Sequence, residues 1–259
     1  MKRTRIAIAA LLLGSAPALA AQNSFVGEYS VSFLGLPIAR ATFNSSYDGD
    51  KYTINGNVAS SGLAKLFDDT NGSLTARGTL GDKHPVPSSF HAGYTYGSKA
   101  SSIDIRFKDG NVVSTKVVPK PRGRGDDWVK LGAENLVKVV DPIASTVLRA
   151  RSIDEVCGRT VKMYDGEMRA NLSLSQVSRQ TMSVQGFDGE TVTCRMAFEP
   201  VAGYRKGRKA LDYLKNRADI NVTFAQLGQT GIYAPTYATV GTQIGTITIK
   251  ARRFEASAN

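Results

Sequence analysis

Histidine is scarce in this chain, whose 259 residues include only His84 and His91. A Ser-His-Asp hydrolase needs a histidine as its base, and no G-x-S-x-G motif occurs anywhere in the sequence. A zinc site would need several further ligands, but Asp82 is the only acidic residue close to the pair. We interpret both histidines as surface residues of a loop, and we expect no catalytic residue, no metal and no other cofactor.

Paired carboxylates are almost as rare as histidines. The two adjacent doublets are Asp68-Asp69 and Asp126-Asp127. Adjacent residues on a strand point to opposite faces, whereas a glycosidase needs two carboxylates that face each other at roughly 5–9 Å. We therefore predict that the protein is not an enzyme, and a carboxylate-dependent glycan hydrolase stays open as an alternative.

Only one hydrophobic run is long enough to suggest a targeting role, and it lies at the N-terminus. Ile6–Leu13 is apolar, follows three basic residues and precedes Ala18-Leu19-Ala20, a small-x-small cleavage pattern. The run is too short to span a bilayer, which takes about 20 apolar residues. We predict a signal peptide over residues 1–20, a single β domain over residues 22–259 without a transmembrane segment, and a periplasmic location.

Acidic residues are outnumbered, with 22 against 33 basic residues and a formal charge of +11. Removing the three basic residues of the signal peptide leaves +8. An exported basic protein seldom meets nucleic acid, so we exclude that partner and consider an anionic membrane surface instead. The candidate contact is Arg205, Lys206, Arg208 and Lys209, although the same residues could simply keep a loop solvated.

Cysteine is limited to Cys157 and Cys194, 37 positions apart. This spacing is unlike the C-x-x-C of redox-active dithiols. In an oxidising compartment a well-separated pair is typical of a structural disulfide, which we predict here.

Period-two alternation dominates the rest of the chain. Tyr29, Val31 and Phe33 share one face of a strand, and similar runs follow as far as the C-terminus. Asp-Gly dipeptides, which suit two-residue hairpin turns, separate these runs at positions 48–49, 109–110, 165–166 and 188–189. The pattern predicts a mainly β, antiparallel meander.

The later strands and the few helices can be placed approximately. Strands are predicted at Thr191–Phe198, Ile220–Gln226, Tyr233–Val240 and Thr246–Phe254. A helix is predicted over Asp141–Arg149, because Asp141 suits an N-cap and Pro142 the first helical position. A second short helix is predicted over Ser60–Asp69.

Apolar side chains gather near two of the predicted turns. They form a candidate groove for an acyl chain, although such residues are more often core: Phe33, Leu34, Leu36, Leu63, Leu66 and Phe67.

Short motifs along the chain resemble the domain of unknown function 3108 family of exported proteobacterial envelope proteins. The motifs are Tyr29-x-Val31-x-Phe33-x-Gly35-x-Pro37-Ile38-Ala39-x-Ala41, Tyr52-x-Ile54, Pro87-x-x-Phe90, Asp141-Pro142, Asp165-Gly166-x-x-Arg169, and Cys194 ahead of Pro200-Val201-Ala202-Gly203-Tyr204. The chain is also similar in style to periplasmic β-spiral envelope-integrity proteins, which carry one disulfide, and to half-barrel lipoprotein carriers.

This resemblance implies a single large curved antiparallel sheet, either a β-spiral or an open half-barrel, wrapped around a helix. It implies no catalytic residue. We expect a non-enzymatic envelope protein that binds a lipid-like or hydrophobic ligand, or a protein partner, in the concave face of the sheet. The alternative is a structural or interaction protein that supports envelope integrity without a small ligand.

Overall fold

The structure is a computed structural model that describes residues 23–62, 70–82, 84–121 and 123–258. The predicted signal peptide lies outside these residues, as do Leu63, Leu66, Phe67 and most of the predicted helix over Ser60–Asp69. The domain boundaries predicted above therefore stay a prediction.

Strands make up most of the described chain. In order they are β1 (Asn23–Phe33), β2 (Leu36–Asp48), β3 (Lys51–Ser60), β4 (Thr70–Leu80), β5 (Pro85–Tyr96), β6 (Lys99–Lys108), β7 (Asn111–Val118), β8 (Trp128–Val129), β9 (Leu148–Arg149), β10 (Arg159–Tyr164), β11 (Arg169–Val184), β12 (Phe187–Ala202), β13 (Tyr204–Arg205), β14 (Ile220–Gln226), β15 (Ile232–Thr242) and β16 (Gly245–Ala258). The described residues also include 3₁₀ turns at Ala133–Leu136, Ala144–Thr146 and Ile153–Glu155, and one helix, α1 (Lys209–Asn216).

Most strands join one large antiparallel sheet in the order β10-β11-β12-β14-β15-β16-β1-β2-β3-β4-β5-β6-β7. The short β9 pairs with β15 beside this path, and β8 pairs with β13 in a separate ribbon. Neighbours in sequence are mostly neighbours in the sheet. The predicted mainly β fold with one large antiparallel sheet is confirmed.

Two-residue turns in several hairpins fix the register of the paired strands. At Asp109-Gly110 both residues have positive φ, 53° and 76°, as a type I′ turn requires. The turn expected at Asp188-Gly189 is wrong, because that dipeptide lies inside β12. The chain turns instead at Gln185-Gly186, after which the Phe187 ring packs edge-on against Phe254 at 5.5 Å.

An antiparallel meander places alternate turns at opposite ends of the sheet. We call the end with the turns at residues 34–35, 97–98 and 243–244 the open end. The closed end carries the turns at residues 49–50, 109–110 and 185–186.

The floor segment, residues 139–157, fills the concave side of the sheet at the closed end. The Val139 N–H donates to the Gly110 carbonyl at 2.9 Å, and the Ala150 N–H donates to the Gly231 carbonyl at 3.0 Å. Val147, Leu148 and Val156 of this segment are buried in the core. The core thus includes a crossing segment as well as the sheet.

The predicted helix over Asp141–Arg149 is wrong beyond its first turn. Only Ala144–Thr146 coils, as a 3₁₀ turn, and Leu148–Arg149 then runs extended as β9 against β15. Pairing with Ile232 and Tyr233 demands an extended backbone, which overrides the local helical signal. The helix implied inside the sheet is therefore replaced, in the described residues, by turns and extended chain.

Helix α1 (Lys209–Asn216) was not predicted. It begins among the basic residues that the sequence suggests are a loop, and it packs against β12 and β15. Leu211, Tyr213 and Leu214 are half-buried in that contact, whereas the lysines of α1 are exposed.

The sheet curves strongly without closing into a continuous barrel. The floor segment spans part of the gap between the edge strands β7 and β10, since Val140 donates to the Lys162 carbonyl and accepts from the Tyr164 N–H. The hydroxyls of Thr115 and Tyr164, 3.2 Å apart, join the two edges directly. The result is an incomplete barrel.

Asp141 anchors the start of the floor segment. Its Oδ1 accepts hydrogen bonds from the Ile143 N–H at 2.9 Å and the Ala144 N–H at 2.8 Å, which is the predicted capping role. Its Oδ2 is buried and has no hydrogen-bond partner among the described residues, and the same holds for the Tyr52 hydroxyl. Burial raises the pKa of Asp141 to about 6, against the lowering effect of the two N–H donors.

The far end of the floor segment is held by the disulfide Cys157–Cys194, as predicted. Cys157 ends the segment, and Cys194 lies in β12 with no exposed surface. The closed loop spans 37 positions.

Removing the disulfide should destabilise the fold markedly. In the chain-entropy description, a loop of this length contributes roughly 3–4 kcal/mol. We expect the Cys157→Ala/Cys194→Ala variant to lose about that much free energy of unfolding in urea denaturation. A reducing agent should destabilise the unaltered protein similarly and leave the variant unchanged. Equal stability of the variant and the oxidised protein would contradict the assignment.

The raised pKa of Asp141 makes stability depend on pH. The folded state keeps the Asp141 proton to about pH 6, whereas an unfolded aspartate releases it near pH 4. The free energy of unfolding should therefore fall by roughly 2–3 kcal/mol as the pH rises from about 4 to about 6. Asp141→Asn should abolish this decline because an amide does not titrate in this pH range, and the amide oxygen can still accept the two N–H bonds.

Two further variants complete this test, again by urea denaturation across the pH range. Asp141→Ala loses the cap and should be less stable than Asp141→Asn by about 1 kcal/mol. Asp48→Asn, at an exposed carboxylate of the closed end, should retain the decline. A decline of equal size in Asp141→Asn would show that another group causes it.

Candidate functional site

An apolar cavity of about 330 Å³ lies inside the curved sheet, above the floor segment. Its walls are inward-facing side chains of β1, β2, β3, β14, β15 and β16, and its base is formed by Ile143, Thr146 and Val147. The cavity thus joins parts of the chain that are far apart in sequence.

The alternation of each strand selects the wall residues. In β2, Ala41, Phe43, Ser45 and Tyr47 line the cavity, whereas the residues between them point outward. In β1, Phe25, Tyr29 and Val31 line the cavity in the same way.

Alanines on facing strands create the empty space. Ala41 lies opposite Tyr29 on one side and Val58 on the other. Ala238 lies between Val222 and Ile249 in the same way. A larger side chain at either position would project into the cavity.

Two hydroxyl groups in the wall are already engaged within the protein. The Tyr29 hydroxyl donates to the Pro235 carbonyl at 2.8 Å, and the Thr146 hydroxyl donates to the Ile143 carbonyl at 2.8 Å. Ser45 lies next to Tyr47 in the series of inward-facing residues of β2. The two engaged hydroxyl groups therefore offer a ligand little polar attraction.

The wall is also uncharged at neutral pH. Burial raises the pKa of Tyr47 to about 12 and raises that of Tyr29 further, so both phenols stay protonated. The lining residues that the structure describes include no Asp, Glu, Lys, Arg or His. Such a surface suits an apolar ligand.

Exposure of the lining grows toward the open end. Tyr47 and Ile54, near the closed end, are 3% and 4% exposed, whereas Val31 and Val58, nearer the open end, are half-buried. The floor segment blocks the other direction. A ligand would therefore enter from the open end.

The predicted groove residues lie beyond this cavity, at its open end. Phe33 is half-buried at the end of β1, and Leu34 and Leu36 are exposed on the first hairpin. The other three predicted residues lie outside the described chain. The cavity-lining residues of β1 and β2 lie in alternating runs that the sequence analysis identified. The sequence alone, however, does not distinguish residues that line a cavity from residues of an ordinary core.

The predicted basic contact also lies at the open end. Arg205, Lys206, Arg208 and Lys209 are all exposed. Arg205 forms an ion pair with Asp127 at 3.2 Å.

Among the described residues, none of those considered for catalysis lines the cavity, and Asp68 and Asp69 lie outside the described chain. His91 Nδ1 lies 2.7 Å from Asp104 Oδ1 on the outer face, His84 is exposed at the closed end, and Asp126 is exposed. In a polar cleft at the closed end, Glu155 forms an ion pair with Arg151. Across the described ranges, no three His, Cys, Asp or Glu side chains are grouped so that they could hold a metal ion.

Comparison with known proteins addresses the fold and the family. A solved structure from Brucella abortus, described as a β-barrel-like protein of domain of unknown function DUF1849, superimposes with a TM-score of 0.54. The two share 11% sequence identity, and the alignment covers 92% of this chain and 98% of that one. This likeness shows a shared fold.

A search of curated proteins returns no match. Among the described helices, none has the length and apolar character needed to cross a bilayer. The sequence profile of the family described as protein of unknown function (DUF3108) matches residues 28–252. This match covers far more than half of the chain, and the protein therefore belongs to the DUF3108 family.

Proposed function

We propose that the protein is an exported, non-enzymatic envelope protein that binds a hydrophobic or lipid-like ligand inside its curved sheet. The observation that carries this proposal is the uncharged cavity, closed by the floor segment at one end and accessible at the other. Ligand sites are typically concave and mostly apolar, with few polar groups.

The cavity volume supports a particular kind of ligand. At about 330 Å³ it lies at the lower end of the range for ligand pockets, about 300–1,000 Å³. A single acyl chain or a small apolar molecule suits this space better than a whole diacyl lipid. A polar head group would remain at the open end, since the wall offers no charge to receive it.

Export to the periplasm is supported by two features. The N-terminal sequence has the pattern of a cleavable signal peptide. The disulfide Cys157–Cys194 suits an oxidising compartment. A cytosolic location would leave both features unexplained.

Affinity for saturated fatty acids should rise with chain length and then level off. Each methylene that enters an apolar cavity adds about 0.8 kcal/mol, or about fourfold in affinity. We expect this gain in calorimetric titrations with fatty acids from octanoate to palmitate, with a plateau where the chain fills the cavity. Binding that is absent, or that does not change with chain length, would contradict the proposal.

Filling the cavity should abolish this binding. Ala41→Phe and Ala238→Phe each place a ring in the empty space, so the dissociation constant for palmitate should rise at least tenfold, or about 1.4 kcal/mol. The matched control is Ala197→Phe, an outward-facing position of β12, which should bind normally. Thermal unfolding of all variants distinguishes a loss of binding caused by a filled cavity from a loss caused by a damaged fold. Normal binding by both cavity variants would exclude this site.

A further inference from the structure

Two adjacent hairpins at the open end expose large apolar side chains. Leu34 and Leu36 of the β1–β2 hairpin are 64% and 60% exposed, and Ile244 of the β15–β16 hairpin is 79% exposed. We call these three residues the apolar tip. Hairpin turns usually carry Gly, Asn, Asp or other small polar residues, so two neighbouring turns with exposed Leu and Ile need an explanation.

The two hairpins form one connected surface. The Leu34 N–H donates to the Thr246 carbonyl at 3.0 Å. Leu34 also lies over Gly245, where an added Cβ would come within 2.6 Å of a Leu34 methyl carbon. The apolar tip is therefore a single small feature rather than scattered exposure.

A basic segment lies directly beside the apolar tip. Residues 205–217 contain six Lys or Arg residues and one acidic residue, Asp212, which gives a net charge of +5. The Gln243 side chain, next to Ile244, donates to the Lys209 carbonyl at 3.2 Å and joins this segment to the hairpin.

Acidic groups nearby compensate only part of this charge. Asp127 pairs with Arg205, and Asp219 lies 3.4 Å from Arg195 of β12. Lys206, Arg208 and Lys209 remain exposed at the open end, and Lys209 is the one of them that is joined to the hairpin of Ile244.

We propose that the open end docks on the surface of an anionic lipid bilayer. Leu34, Leu36 and Ile244 enter the interface between head groups and acyl chains. Lys206, Arg208 and Lys209 lie over the anionic head groups. Apolar side chains that penetrate a short distance, flanked by Lys and Arg, are the usual composition of surfaces that bind membranes without spanning them.

Docking in this orientation also makes the bilayer the source of the ligand. The accessible side of the cavity faces the same end as the apolar tip, so an acyl chain can pass between the bilayer and the cavity with little exposure to water. This step rests on the proposed function, whereas docking itself rests on the surface residues alone.

The test measures flotation of the purified protein with vesicles of phosphatidylglycerol and phosphatidylcholine in equal amounts. We expect binding that weakens at high salt and that is lost on pure phosphatidylcholine vesicles. Both Leu34→Ser/Leu36→Ser/Ile244→Ser and Lys206→Glu/Arg208→Glu/Lys209→Glu should lower the partition coefficient at least tenfold.

Closed-end variants provide matched controls. Val86→Ser removes an exposed apolar side chain there, and Lys51→Glu/Lys108→Glu reverses exposed charges at two closed-end turns. Both should float like the unaltered protein. Docking by the open end is overturned if the unaltered protein does not float, or if these controls lose as much binding as the open-end variants. Circular dichroism confirms that each variant is folded.

One variant separates this proposal from the proposed function. Ala238→Phe should float normally while it fails to bind palmitate. If the unaltered protein floats but never binds palmitate, docking stands and the ligand proposal fails. If it binds palmitate but does not float, the ligand proposal stands and docking fails.

Discussion

The rest of the structure depends on the floor segment, residues 139–157, because a curved sheet with an empty concave side would leave its apolar face in water. This segment buries Val147, Leu148 and Val156 against the strands and closes one end of the incomplete barrel. Asp141 fixes its start through two backbone N–H groups, and the disulfide Cys157–Cys194 fixes its end to β12. Between these anchors Ile143, Thr146 and Val147 of the segment form the base of the cavity.

The cavity itself results from side-chain size. Aromatic residues on β1 and β2 hold the wall apart, as in the edge-to-face contact of Tyr29 and Phe43 at 5.7 Å, while Ala41 and Ala238 leave space between them. The Tyr29 and Thr146 hydroxyls find partners in the protein, so an apolar ligand would not leave these two groups unsatisfied. The described lining carries no charged side chain, so any selectivity for a ligand would come from shape and from exclusion of water.

Much of the fold could be predicted from the sequence, but the site could not. Period-two alternation and the turn motifs predicted the antiparallel sheet, and β14 matches its predicted bounds, Ile220–Gln226. The helix over Asp141–Arg149 was wrong because pairing of β9 with β15 outweighed a local signal. The cavity was missed because β1–β3 and β14–β16 meet only in the folded sheet, and a single strand does not show whether its inner face contacts protein or empty space.

The central claim is that the cavity exists to hold an apolar ligand. Native mass spectrometry of protein purified after export, with lipid extraction of the same sample, tests it most directly. We predict a retained molecule of defined mass that carries one acyl chain or a comparably small apolar group, released when the protein unfolds. A clean mass of the polypeptide alone, from protein never exposed to detergent, would contradict the claim and favour a structural or protein-binding role.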